Sequence, residues 1–406
     1  MNYIICNITQ LVTCSGFAAK HGKEMSDLGI IENAAVVVTK GIITYVGRDI
    51  ERLPTDDSEI YETIDASGKA VLPGFIDSHT HFVFGGYREE EFAWRMRGDS
   101  YMSIMERGGG IYNTVKATQK ASEEDLYAIA KTRLDKMLAM GVTTVEGKSG
   151  YGLDKETELK QLRVMKRLQS EHRMNIIPTY LGAHAVPKGY TEESYIDFMI
   201  QEVLPLIREE NLAECCDIFC EKGVFSAAAS ERFLLECKKM GFQLKLHADE
   251  IINTGGAELA ASVGALSADH LLQISEKGIK ALAESNTVAT LLPCTAFLLK
   301  EDYAHGREMI DAGCAVALAS DFNPGSCFTY SIPLTIALAC IYMKLSPEEA
   351  VTALTINAAA AMGKAASIGS IDVGKKGNII ILEYPSYQFL PYHAGINCVE
   401  KVIFGL

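Results

Sequence analysis

The chain has 406 residues, 48% of them hydrophobic and 22% charged, with a formal net charge of −14. That balance excludes nucleic acid as a partner, because phosphate binding needs a basic face and no run of Lys or Arg supplies one. It also excludes a largely disordered chain: there is ample apolar material for a core and no Pro-, Ser- or charge-rich tail.

Eleven cysteines are scattered, odd in number and mostly set in apolar runs such as CDIFC, and no CxxC occurs. They read as reduced, mainly buried thiols rather than a disulfide framework or a cysteine zinc site. The first residues, MNYIICNITQLVTC, lack a basic segment followed by a long apolar one, and no stretch reaches the roughly 18 apolar residues of a membrane span. A cytoplasmic protein without membrane association is expected.

In chain order, residues 1–70 contain AAVVVTKGIITYVG, which reads as short strands around a Gly-centred turn. Eight β-rich runs follow: 72–81, 141–152, 175–184, 216–225, 242–250, 265–271, 287–294 and 314–325. Amphipathic segments separate them, the pattern of a parallel sheet with crossover helices. One such helix is signalled by Ser122 with Asp125 as a capping box, a stripe of Leu126, Ile129, Leu134, Met137 and Leu138, and Gly141 as the stop. Another opens with Ser346 as cap and Pro347 at the first position, before EEAVTALTINAAAAM. Residues 368–382, IGSIDVGKKGNIIIL, return to strands and turns. The expected fold is an α/β (β/α)8 TIM barrel over residues 71–364. A small β-sandwich beside it would be built from residues 1–70 and 365–406 together, since neither end buries much alone.

In such barrels the reactive groups lie at the C-terminal ends of the strands. His79 and His81 end the first run and, two residues apart, face the same side of a strand. His184 ends the third, His247 and Glu250 the fifth, His270 the sixth and Asp321 the eighth, so five of nine histidines fall on one rim. His79, His81, His247 and Asp321 are the expected ligands of one divalent metal, zinc or iron, with a position left open for water. Asp321 could alternatively cap the following segment, or serve partly as a proton acceptor. Glu250, three residues beyond His247, is the candidate proton shuttle, and His270 the candidate stabiliser of a developing oxyanion.

The HTH after PGFID, the histidines on the fifth and sixth strands, the aspartate on the eighth and the terminal β-segments together resemble the amidohydrolase superfamily. More narrowly, HTHFVFGGYREEEFAWRMRGDSYMSIMERGGGI, GKSGYG, LGAHAVP, LHADE and ASDFNPGS resemble the branch that opens 4-imidazolone-5-propanoate to N-formimidoyl-L-glutamate in histidine breakdown. The resemblance implies that reaction, a small anionic substrate, and substrate contacts at Arg88, Tyr151, His184, Glu250, Asn323, Gly325 and Ser326. Arg88 offers a two-pronged clamp for a propionate, which lets an acidic protein take an anion. Gly108–Gly110 reads as a loop able to close over the site. Lys148 falls on the second strand by this count, away from the fourth-strand position where related two-metal enzymes carry a bridging lysine, so a structural or supporting role is expected. The apolar content allows a homodimer. Two other readings stay open: a single-metal deaminase of a heterocyclic base, which would not need the Arg88 clamp, and a non-catalytic binding protein on the same barrel, which would be expected to have lost ligands.

Overall fold

A computed structural model describes residues 2–48, 55, 58–99, 103, 107 and 109–405. The chain opens with β1 (Tyr3–Val12), β2 (Ile30–Thr39) and β3 (Ile42–Gly47). Lys40 and Gly41 join β2 to β3 with φ of 51° and 78°, the two-residue turn whose twist suits antiparallel strands. β4 (Glu62–Asp65) and β5 (Ala70–Pro73) then pair parallel with β1.

Gly74 divides the next apolar run between two sheets. Its N–H donates to the carbonyl of Asn378 at 2.9 Å, and a Cβ on it would lie 2.3 Å from Thr143 Cγ2. Only glycine lets the backbone pass there. The run at 72–81, expected as one strand, is therefore split: β5 stays in the terminal sheet and β6 (Phe75–Asp77) begins the barrel.

The barrel continues through β7 (Val142–Lys148), β8 (Asn175–Ala183), β9 (Cys215–Cys220), β10 (Gln243–Ala248), β11 (Ser267–His270), β12 (Val288–Leu291) and β13 (Val316–Leu318). These eight strands form one sheet in sequence order, every pair parallel. A bridge between Thr80 and Phe322 brings its two ends together. Each expected run contains one of these strands, except that β9 begins one residue ahead of its run. Lys148 ends the second, and the fourth, β9, carries no lysine.

The helix Glu123–Ala139 starts at Ser122, whose side chain accepts from the Asp125 N–H, and buries Leu126, Leu134 and Met137 as its spacing predicts. The segment after Pro347 differs from expectation, forming two helices, Pro347–Ala353 and Ile356–Ala360. The Leu354 carbonyl accepts from Ile76 N–H of β6 at 2.9 Å, and Thr355 Oγ1 donates to the Val351 carbonyl at 2.7 Å, so the backbone turns aside to serve the barrel.

β14 (Ile379–Leu382) and β15 (Val399–Ile403) return to the terminal strands, giving a seven-stranded mixed sheet in the order β15-β14-β5-β1-β2-β3, with β4 also on β1. Ile5, Ile8, Val36, Val38, Ile379, Ile381 and Ile403 form its own core, so the two ends of the chain build one β-unit. All eleven cysteines are free thiols, nine of them buried. Among the described residues no helix is long and apolar enough to cross a membrane.

Candidate metal centre and active site

His79 and His81 follow β6 on an extended segment tied to the eighth strand's end: Asp321 N–H donates to the His79 carbonyl at 3.0 Å and His81 N–H to the Phe322 carbonyl at 2.9 Å. The alternation of that segment turns both imidazoles inward, their ring centres 5.4 Å apart. His247 on β10 lies 4.5 Å from the His79 ring and 5.7 Å from the His81 ring. Asp321 Oδ1 stands 3.5 Å from His79 Nε2 and 3.6 Å from His81 Nε2. His270 completes the cluster, its ring 5.3 Å from His79 and 5.1 Å from His247. One donor atom each from His79, His81 and Asp321 falls within 4.8 Å of the others, and the same holds for His79, His247 and His270.

Burial holds the imidazoles of His79, His81 and His247 well below their ordinary range, and the cationic Lys148 and neighbouring histidines push the same way. They are neutral near pH 7, the form that ligates a cation. His79 Nδ1 is 2.7 Å from Asp269 Oδ2 and His247 Nδ1 is 2.9 Å from Asp217 Oδ2. The buried His79 Nε2, His81 Nδ1 and His247 Nδ1 have no hydrogen-bond partner, nor has either ring nitrogen of His270. Burial pushes the Asp321 carboxyl up to about 7, against the opposing hydrogen bond from Thr295 Oγ1 at 2.6 Å. Unpartnered imidazole nitrogens around a destabilised carboxylate fit a divalent cation such as zinc or iron.

Around this cluster stand the other expected residues. The Glu250 carboxyl is pushed up to about 8 by burial and then by the charges of Asp321 and Glu221, and His270 Nδ1 lies 3.6 Å from its Oε1. His184 stacks on His81 at 5.2 Å, with Nδ1 3.1 Å from the Gly150 carbonyl oxygen, and the buried Tyr151 ring lies 5.3 Å from His184 and 5.8 Å from His81. The turn after Asp321 is built by Asn323, whose Oδ1 accepts the N–H groups of Gly325 and Ser326, both at 2.8 Å, while its Nδ2 donates to Ser326 Oγ at 2.8 Å. Arg88 reaches this turn from the first loop and donates from Nε and Nη2 to Glu91 Oε2 at 2.9 and 2.7 Å. Gly110 N–H donates to that same oxygen at 3.1 Å, while Gly108, the first of the three glycines, lies outside the described residues.

Several residues that shape the site escaped the sequence reading. Asp269 Oδ2 is hydrogen-bonded to His79, Asp217 Oδ2 lies 2.9 Å from His247 Nδ1, Thr295 holds Asp321, and Arg133, over the Phe84 ring at 3.6 Å, donates to the carbonyls of Phe82 and Phe84 just past His81. Asp217, Lys245 and Asp269 sit inside short apolar runs, where period-two spacing was the available signal: Lys245 is two residues before His247 on one strand face.

Residues 70–405 match the amidohydrolase family. The chain is 62% identical over 402 residues to the imidazolonepropionase of Parabacteroides distasonis, an alignment covering 98% of this chain and 97% of that one. The chain belongs to the amidohydrolase family, in its imidazolonepropionase branch. A second relative in that branch, the imidazolonepropionase of Clostridium tetani, is 61% identical over 404 residues, covering 99% of this chain and 96% of the relative. Solved structures share the fold at much lower identity. An adenosine deaminase from Xanthomonas campestris with bound zinc superposes with a TM-score of 0.74 at 17% identity, covering 99% of this chain and 91% of that one. A mutant atrazine chlorohydrolase from Arthrobacter aurescens, complexed with zinc and atraton, gives 0.76 at 16% identity, covering 99% and 94%. At such identities these chains establish the amidohydrolase barrel and nothing narrower.

Proposed function

We propose that the chain hydrolyses the cyclic amide bond of 4-imidazolone-5-propanoate to N-formimidoyl-L-glutamate. The observation that carries this reading is an inward-facing histidine and aspartate cluster, with Arg88 against the turn that follows Asp321, in a chain 62% identical to an imidazolonepropionase. One divalent metal, zinc or iron, held by His79, His81, His247 and Asp321, would polarise the ring carbonyl and acidify the attacking water.

The chain's own residues do the rest. Glu250, with its carboxyl near 8, exchanges protons close to neutrality. It takes a proton from water as oxygen adds to the ring carbonyl carbon, then returns it to the ring nitrogen as the C–N bond breaks. The new carboxylate becomes the α-carboxylate of the product. His270, kept neutral by burial, which pulls it down to about 4, donates a hydrogen bond to the oxyanion as it develops. Glu91 takes one N–H each from Nε and Nη2, which leaves the Nη1/Nη2 edge of the Arg88 guanidinium, on the side of Gly325, to offer the propionate. Tyr151 and His184 flank the substrate, and the Asn323-built turn offers Ser326 beside it. A deaminase of neutral bases would have no use for the Arg88 clamp. Turnover of the propanoate compared with an imidazolone lacking the side chain tests this: a strong preference for the propanoate supports the reading, and equal turnover opposes it.

A further inference from the structure

Under the histidine cluster lies a layer of charged side chains that the proposed chemistry leaves without a role. Glu146 and Lys148 on β7, Asp217 on β9, Lys245 on β10 and Asp269 on β11 are all fully buried. Lys148 Nζ lies 2.6 Å from Asp217 Oδ2, 3.1 Å from Glu146 Oε1 and 3.5 Å from Asp269 Oδ2. The same Asp217 oxygen is 2.9 Å from His247 Nδ1, and the same Asp269 oxygen is 2.7 Å from His79 Nδ1. A continuous line of contacts thus runs His79, Asp269, Lys148, Asp217, His247, and its midpoint is one ammonium.

We infer that Lys148 is a positioning residue for the metal centre, orienting two ligand histidines at once through Asp269 and Asp217. The inference rests on the ligand reading above. Two carboxylates sharing a dry interior repel each other strongly. The ammonium between them draws both Oδ2 atoms to fixed points: the Asp269 oxygen hydrogen-bonds His79 Nδ1, and the Asp217 oxygen stands 2.9 Å from His247 Nδ1, so each places an imidazole with Nδ1 toward the barrel floor. Without Lys148 the carboxylates face one another with no cation joining them, swing away from the Nδ1 atoms, and both rings lose their aim together. Lys245 is a matched comparison. It is equally buried, donating to the carbonyls of Ser78 and Ala361 at 3.0 and 3.3 Å, with Glu146 Oε2 at 3.0 Å. Yet it stands 3.9 Å from Asp269 Oδ2 and makes no ion pair with Asp217 among the described residues.

The test is equilibrium competition for cobalt(II) between a chelator and the full chain, which needs no turnover, run on native protein, K148M, K245M and H247A, with circular dichroism and Tm to verify folding. Removing the support of a metal ligand weakens metal affinity about 10- to 100-fold. K148M is expected to lose that much and to alter the cobalt absorption spectrum, and K245M, which reaches Asp269 but does not join it to Asp217, to lose less. Folded K148M binding cobalt as native does, while H247A loses it, overturns the role of Lys148 alone. H247A that keeps native affinity overturns the ligand reading instead. If K148M does not fold, K148Q replaces it. Imidazole nitrogen shifts of the native metal-free chain give a variant-free check: His79 and His247 are both expected as the Nδ1–H form, and Nε2–H in either contradicts the inference.

Discussion

Gly325 lies so close to Arg88 that a Cβ built on it would stand 2.2 Å from Arg88 Nη1. Its φ is not in the left-handed region, so an added methyl group is opposed only by the movable tip of Arg88. G325A is therefore expected to push the guanidinium off the turn and raise KM about tenfold, the worth of roughly 1.4 kcal/mol, with metal content unchanged. Steady-state kinetics with metal analysis check this, and an unchanged KM would count against Arg88 as the clamp.

Removing the guanidinium outright tests the same contact harder. A hydrogen bond to a charged group contributes about 1.5–3 kcal/mol, so R88M should lower kcat/KM about 10- to 100-fold. R88K, which keeps the charge but not the planar fork, should recover part of it. Equal activity of R88M and native protein on the propanoate would remove the clamp from the account.

E250Q keeps the shape of the side chain and abolishes its proton exchange. General acid–base catalysis contributes about 10²- to 10⁴-fold, so kcat should fall within that range while metal stays bound. Near-native turnover by E250Q would show that the proton travels by another group.

Stability of the metal-free protein should depend on pH in a particular direction. The folded chain holds the Asp321 carboxyl near 7 and Glu250 near 8, both above their unfolded values, so it keeps protons that the unfolded chain has released. The stability from these groups is present at low pH and lost as pH rises through those values. His184 and His270, drawn down to about 4, work the other way, but only below about 6.5, where the unfolded chain takes up protons. Between pH 6.5 and 8 thermal unfolding should show these carboxyls losing stability, on the order of 1–2 kcal/mol attributable to Glu250, while Lys375, lowered to about 8 by burial, works the other way as pH nears 8. E250Q should flatten that slope.

The barrel was legible in the sequence because each strand is a short β-branched or apolar run ending at a polar residue, as in FQLKLHADE and CAVALASD. The cluster of His79, His81, His247, His270 and Asp321 was legible as a candidate site because these residues stand at those ends. What was hidden depended on three-dimensional crowding. Gly74 looks like any turn glycine until Thr143 is seen beside it, and the helix break at Leu354 depends on a carbonyl drawn to Ile76. Lys148 was expected to play a supporting part, but its partners Glu146, Asp217 and Asp269, and Lys245 beside them, were obscured because a charge inside an apolar strand has no visible partner until the strands close into a ring.

The most direct measurement is incubation of metal-analysed protein with 4-imidazolone-5-propanoate, following N-formimidoyl-L-glutamate, with a chelator-treated sample alongside. The account predicts product from the metal-loaded protein, none after chelation, and recovery when a divalent metal is restored. Undiminished product after complete metal removal would contradict the role given to the histidine cluster, and no product from the loaded protein would contradict the substrate.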